Sequence, residues 1–458
     1  MLLDERRGQV DITNEVLQTA ARGHFIDAEI IRLLLEELSD DFEVEERVAM
    51  AAASNGYSGG KIMQLLLEQR GEEVKITERV VIAAAESYDA SKIMQLLLEQ
   101  RGEEVKITER VVIAAAGSYD ASKIMQLLLE QRGEEVKITE PVVIAAAGTY
   151  FASKIMQLLL EQRGEEVKIT EPVVIAAAGT YFASKIMQLL LEQRGEEVKI
   201  TERVVKAAAE SHNASKIMQL LLEQRGEEVN ITEPVVIAAA GSRFASEIMQ
   251  LLLEQRGEEV KITELVVIAA AGSYDASEIM QLLLEQRGEE VKITEPVVVA
   301  AAGSYFASKI MQLLLEQRGE EVKITEPVVI AAAGSLFASE IMQLLLEQRG
   351  EEVKITEPVV IAAAGSYFAS KIMQLLLEQR GEEVKITEPV VIAAAGSPYA
   401  GDVMQVLLEQ RGGEVKITEG VLKTAEKNKG LGKNMIKLLA AEGHKGSNVM
   451  NGIVRVAR

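Results

Sequence analysis

One phrase of 31 residues, TEPVVIAAAGTYFASKIMQLLLEQRGEEVKI from Thr139 to Ile169, returns almost letter for letter along most of the chain. Its leading Thr recurs as Thr77, Thr108, Thr139, Thr170, Thr201, Thr232, Thr263, Thr294, Thr325, Thr356, Thr387 and Thr418. A fixed period of this size marks a protein built by stacking one small structural unit on the next, because a single repeat cannot bury its own apolar side. Such an array grows through nearest-neighbour contacts, so its length of 458 residues does not imply several globular domains.

Within the phrase two helices are predicted. Thr139 is placed as an N-cap whose hydroxyl accepts from a free first-turn amide. Pro141 falls in that first turn, where a missing N–H costs nothing. VVIAAA carries helix A, which weakens at Gly148 and Thr149; its small side chains let a neighbouring helix come close. Helix B is predicted from about Ser153 through KIMQLLLEQR, stopping at Gly164 as a C′ residue. Ile155, Met156, Leu158, Leu159 and Leu160 wrap most of its circumference, so helix B must lie between copies of itself. EEVKI is an extended connector with Val167 and Ile169 inward. The fold class expected is therefore all-α, a right-handed curved solenoid of helix pairs. Small residues on A and large ones on B put A on the concave side of an arc roughly 140 Å long, for helices about 10 Å apart.

The ends diverge from the middle. Residues 1–44 form a divergent N-terminal repeat or cap, 45–417 hold twelve stacked helix pairs, and 418–458 form a divergent C-terminal repeat with a final half-unit. End repeats must present one face to water, which divergence serves. The opening LLDERRGQVDIT reads like the second half of a repeat, as in a piece of a longer array. A basic docking site at Lys427, Lys429 and Lys433 is the weaker reading of the C-terminal end.

AAAG, a turn, then IMQLLLEQRGEEVKIT resembles the ankyrin repeat, most closely in TAARGHFIDAEIIRLLLEE from Thr19 to Glu37. The departures are a Thr-Glu-Pro-Val opening in place of Thr-Pro-Leu-His, a period of 31, a longer turn between the helices and a shortened hairpin. The repeated phrase also resembles arrays in fungal NACHT-type, NLR-like receptor proteins. That resemblance implies a recognition module and supplies no catalytic residue.

Counting the leading Thr as zero, copying fails at few offsets. Offset 2 carries Arg79, Arg110, Pro141, Arg203, Leu265 or Gly420, and offset 5 is Ile except at sites such as Lys206 and Lys423. Offset 9 alternates between residues such as Glu86, Gly117 and Glu210. Offset 11 carries Tyr88, His212, Arg243, Leu336 or Pro398, while offset 12 carries Asp89, Phe151, Asn213, Phe244 or Tyr399. Offset 15 is Lys154 in one repeat and Glu247 in another. Offsets 2, 5, 9 and 12 follow a helical spacing, and a packed core would not accept such changes, so these rows are expected to be exposed.

Of the chain's 9 Tyr and 8 Phe, fourteen stand at offsets 11 and 12. An exposed apolar strip marks an interaction site, and Tyr, Phe and Arg are enriched in interface cores. The candidate partner-binding residues are Tyr150, Phe151, Tyr181, Phe182, Arg203, Lys206, His212, Asn213, Arg243, Phe244, Tyr305, Phe306, Leu336, Phe337, Tyr367 and Phe368. The alternative is that each Phe folds back over helix B as a local staple and each Tyr caps the turn. Asp at offset 12 in three repeats favours interaction.

Other features point away from chemistry. The Met ladder (Met94, Met125, Met156) reads as core filler. Glu165 and Glu166 beside Lys168 read as a solvated face. Gly430 to Lys433 lacks the spacing of a phosphate loop, and His24, His212 and His444 stand far apart. With no Cys there is no disulfide or thiolate metal site. No apolar run reaches the length of a membrane span, and a formal charge of −22 argues against a broad basic surface for nucleic acid. The expectation is a cytoplasmic, non-enzymatic recognition scaffold without cofactor or metal. Its expected partner is a protein on the helix-A and turn surface, with neither nucleic acid nor membrane. Self-assembly into oligomers or filaments is the second reading.

Overall fold

The computed structural model describes residues 12–23, 28–39 and 42–428. Among them lie 27 helices and no strand, alternating short A helices with longer B helices at the 31-residue step. The chain divides into two compact units, Met1–Asn230 and Ile231–Arg458, each a solenoid of stacked helix pairs. Lys429, Lys433, Gly430, His24 and His444 lie outside the described residues.

In the repeat led by Thr139, helix A spans Glu140–Ala147 and helix B Ala152–Arg163. Val142, Val143, Ala146 and Ala147 of A meet Ala152, Ile155, Met156 and Leu159 of B, all essentially inaccessible to water. Full burial of each Ile, Met or Leu contributes about 1.5–3 kcal/mol. Val167 and Ile169 of the connector close this core from beneath. Helix B packs on its own A helix and on the B helices before and after it, as its wide apolar surface demands. The A helices come closer still: a Cβ built on Gly117 stands 3.8 Å from the Cβ of Ala145 in the next repeat.

Two local expectations need correction. Thr139 does take the N-cap backbone conformation, with φ −85° and ψ 165°, but its hydroxyl makes no cap bond. It donates instead to Glu109 of the preceding repeat at 2.7 Å. The same bond recurs as Thr170 to Glu140, Thr325 to Glu295 and Thr387 to Glu357. A hydroxyl facing a carboxylate one repeat away makes a charge-assisted bond, stronger than one to a neutral amide. Thr77, Thr108 and Thr418 also accept from Val80, Val111 and Val421.

Gly164 is not a left-handed C′ residue; its φ is −55° and ψ −31°. Glycine is required there by crowding, since an added Cβ would stand 2.5 Å from the Leu160 carbonyl oxygen. The chain then turns through Glu165 and Glu166 into the connector.

That connector is held by Arg194 of the following repeat, as Arg163 holds the one before it. Arg163 donates through Nη1 to the carbonyl of Gly133 at 3.0 Å and through Nη2 to that of Val136 at 3.2 Å. Its Nε donates to Glu166 at 2.6 Å. The Arg163 hydrogen bond holds the Glu166 carboxyl below the usual carboxylate range, and the backbone N–H of Ile138 adds to it. Glu166 thus pairs with Arg163 within its own repeat and accepts across the junction from the Ile138 backbone, besides standing in solvent.

Candidate functional site

The variable offsets gather on one edge of each solenoid, where A helices run into the A–B turns. Ser or Thr at offset 10 anchors the turn from inside: Ser118 and Thr149 are buried and bond back to Ala115 and Ala146. Anchoring that residue inward leaves offset 11 facing out.

Offset 11 is a ladder of rings. Tyr88 and Tyr119 stack with centroids 5.1 Å apart, Tyr119 and Tyr150 at 6.2 Å, and Tyr150 and Tyr181 at 5.1 Å. His212 continues the ladder 4.8 Å from Tyr181. In the second compact unit Arg243 lies over Tyr274 at 5.4 Å, and Tyr274 packs on Tyr305 at 5.2 Å. Leu336 interrupts the rings and is half-buried. Tyr367 resumes them and meets Tyr399 of offset 12 in the next repeat, their hydroxyls 3.2 Å apart. That hydrogen bond raises the Tyr399 phenol above its ordinary pKa.

Offset 12 is less open than its variability implied. Phe151, Phe182, Phe306, Phe337 and Phe368 are half-buried, and among the Phe candidates only Phe244 is exposed, at 39%. Phe151 sets its edge against Tyr119 and Tyr150, at 5.1 and 4.9 Å, with the Lys154 ammonium over its ring at 5.5 Å. Phe182 does the same with Tyr150, Tyr181 and Lys185. Polar residues at this offset also serve the junction. Asp275 accepts from the backbone N–H groups of Ala245 and Ser246 and from the Ser246 hydroxyl, capping the helix Ala245–Arg256 of the preceding repeat. Asp120 accepts from Ser91, and Asn213 donates to the Tyr181 carbonyl at 2.6 Å. The offset tolerates Asp, Asn and Phe because each finds a different partner one repeat back. Asp120 and Asp275 are junction residues, whereas Asp89 pairs with Lys92 of its own repeat.

The charged candidates on helix A are open. Arg203 stands 3.6 Å from Glu171 and is 72% exposed, while Lys206 stands 3.8 Å from Glu210. Pairs this exposed are worth little to the fold. Arg203, Lys206, His212 and Asn213 come together in one repeat, joined through His212 and Asn213 to Tyr181 and through Arg203 to Glu171. A hollow of about 300 Å³ borders them, lined by Gly148, Ile175, Ala176, Gly179, Thr180, Ala207 and Glu210.

A family model for a domain of unknown function, DUF7104, matches fourteen successive segments, among them residues 1–25, 33–63, 65–94, 127–156, 251–280 and 406–435. The chain belongs to the DUF7104 family. Each DUF7104 segment from 65–94 to 375–404 begins in the last turns of one B helix and ends early in the next, so the family frame spans the junction that Arg163 and Thr139 hold. No curated protein matches this DUF7104 chain. Among solved structures it is similar to two crystal structures of the pentatricopeptide repeat protein PPR10 in complex with an 18-nt psaJ RNA element, one of a cysteine-to-serine variant. Each match has 13% identity and a TM-score of 0.39, covering 100% of this chain and 70% of the other.

The exclusion of nucleic acid made from net charge is withdrawn. The physical flaw is that net charge is a sum over the chain, whereas binding depends on local rows; Arg79, Arg110 and Arg203 are exposed despite a total of −22. At such identity and TM-score the likeness says nothing about this chain's own ligand. Among the described residues no helix is long and apolar enough to cross a membrane, and no group of three or more His, Cys, Asp or Glu is placed to hold a metal ion.

Proposed function

We propose that this DUF7104 array is a non-catalytic recognition scaffold for protein, with its contact surface on the exposed edge formed by offsets 2, 5, 9 and 11. The observation that carries this reading is the coincidence of variation with exposure. Buried offsets are copied almost without change, whereas Arg203, Lys206, His212 and Arg243 stand open beside an aromatic ladder. Aromatic and Arg side chains around a rigid platform are the composition of interface cores. The Phe residues at offset 12, with Asn213 and Leu336, serve in this reading as support that fixes the Tyr, His and Arg side chains.

The repeated phrase supports a narrower assignment, the ligand-sensing repeat region of a fungal NLR-like receptor acting in the cytoplasm. We also read residues 1–44 and 418–458 as end repeats around the stack 45–417.

The test is capture from an extract of the source cells with the wild-type chain and with Arg203→Glu plus Lys206→Glu, each with and without ribonuclease. A protein recovered by the wild type, resistant to ribonuclease and lost with the variant supports the reading. Recovery of RNA, or of proteins that vanish with ribonuclease, sinks it in favour of nucleic-acid recognition.

A further inference from the structure

We propose that two copies of this chain meet through the outer face of the A helices in the second compact unit. Six A helices run there from Glu233–Gly241 to Glu388–Gly396. Each leaves offsets 2 and 9 exposed and offsets 5 and 6 half-buried, Pro234, Gly241, Ile237 and Ala238 in the first, with Leu265 at 56% exposure in the second and an exposed Glu at offset 1, such as Glu233, bordering the face. Across all six helices these four offsets carry only Pro, Leu, Ile, Val, Ala and Gly. The same offsets in the first compact unit are broken by Arg79, Glu86, Arg110, Arg203, Lys206 and Glu210. The tract also ends in charge, since Glu419–Lys427 presents Lys423 and Lys427.

Its area decides what can cover it. Nine-residue helices are about 13 Å long. Six of them laid side by side about 9 Å apart present on the order of 700 Å². That approaches the roughly 800 Å² per partner of a standard stable interface, and it exceeds the few hundred Å² of apolar patch that monomers usually expose. One helix of an unrelated partner fills a single furrow between two A helices and leaves the others wet. A surface with the same spacing from repeat to repeat covers every furrow at once, and a second copy has that spacing by construction. The face is also self-complementary. Its N-terminal half is bulky (Pro, Ile) and its C-terminal half is small (Ala, Gly), so a two-fold axis sets each ridge of one copy against the hollow of the other.

The experiment is multi-angle light scattering on the full chain over a hundredfold concentration range, with Ile268→Lys plus Ile330→Lys as the variant. Lys already occupies this offset at Lys206 and Lys423, so the variant is expected to fold, and its melting curve checks that. The expected result is a wild-type mass that rises to a plateau at twice the monomer, with the variant remaining monomeric. A wild type that stays monomeric throughout overturns the proposal, as does a variant that dimerises equally well. A mass that climbs beyond twofold without a plateau overturns it too, because it reports an open head-to-tail contact. The variant leaves Arg203 and Lys206 untouched, so this proposal and the recognition reading fail separately.

Discussion

Arg163 reaches into the preceding repeat and donates to the Gly133 carbonyl oxygen at 3.0 Å. The bond recurs from Arg101 to Gly71 through to Arg411 to Gly381, so one residue type ties junction after junction. Its planar fork serves two carbonyls and Glu166 together, which a Lys ammonium cannot do. Arg163→Ala is expected to destabilise the array by about 1–3 kcal/mol, and Arg163→Lys should recover only a minor part. Urea midpoints for the three chains check this; full recovery by Lys would show that charge alone matters.

Acid should weaken the same junctions. The carboxyls of Glu166, Glu321, Glu383 and Glu414 are held below their ordinary value, first by hydrogen bonds from Arg163, Arg318, Arg380 and Arg411. A lowered folded-state pKa stabilises above the unfolded value and loses that contribution as pH falls through the folded one. The melting temperature should therefore hold from neutrality to about pH 5 and decline below about pH 4, the ordinary Glu range being near 4.3. A flat profile into stronger acid would remove these carboxylates from the junction.

Two glycines should respond oppositely to alanine. Gly164→Ala places a Cβ 2.5 Å from the Leu160 oxygen and should destabilise by more than about 1 kcal/mol. Gly179 ends a helix and has nothing within 4 Å of an added Cβ. Gly179→Ala should stabilise by up to about 1 kcal/mol. Differential scanning calorimetry of the two variants separates crowding from a general glycine effect.

The rings of Tyr119 and Phe151 meet edge to face across a junction. A double-mutant cycle with Tyr119→Ala and Phe151→Ala should return a coupling of about 0.5–1.5 kcal/mol. A coupling indistinguishable from zero would free the ladder from any part in the fold and return Phe151 to the list of contact residues.

Helix-A alanines tolerate little growth. Ala146 is fully buried, and Ala146→Leu is expected to cost about 1–3 kcal/mol by overpacking. Equal denaturation midpoints for variant and wild type would contradict close approach of the A helices.

Much of this was legible in the sequence because local rules and period agree. Pro141 and Gly164 bracket the helices, and Ile155, Met156 and Leu159 fall on buried faces as their spacing demands. What escaped reading lies between repeats. Thr139 looks like a cap and Arg163 like a solvated charge until the preceding repeat is placed beside them, because their partners stand about one period away. The signal was present all the same. Arg163, Glu166 and Thr139 recur with their period almost unbroken while exposed Tyr150 drifts to His212 or Arg243, and a polar residue that never drifts has a fixed partner. Phe151 is harder to read for the converse reason: its offset also varies because Asp120 and Asn213 satisfy different neighbours there, so variation alone does not mark a free side chain.

The hydroxyls of most leading Thr residues find a carboxylate in the repeat before, as Thr170 does with Glu140, and this makes those joints alike. Any interior repeat can stand next to any other, since each offers the same acceptors behind and the same donors ahead. Removing or duplicating a whole 31-residue segment rejoins matching apolar cores and changes only the partners met at offsets 11 and 12. Recombination within such a gene therefore edits the length of the array and the order of its outer side chains while leaving the fold indifferent, so diversity accumulates at the surface at no cost to the core.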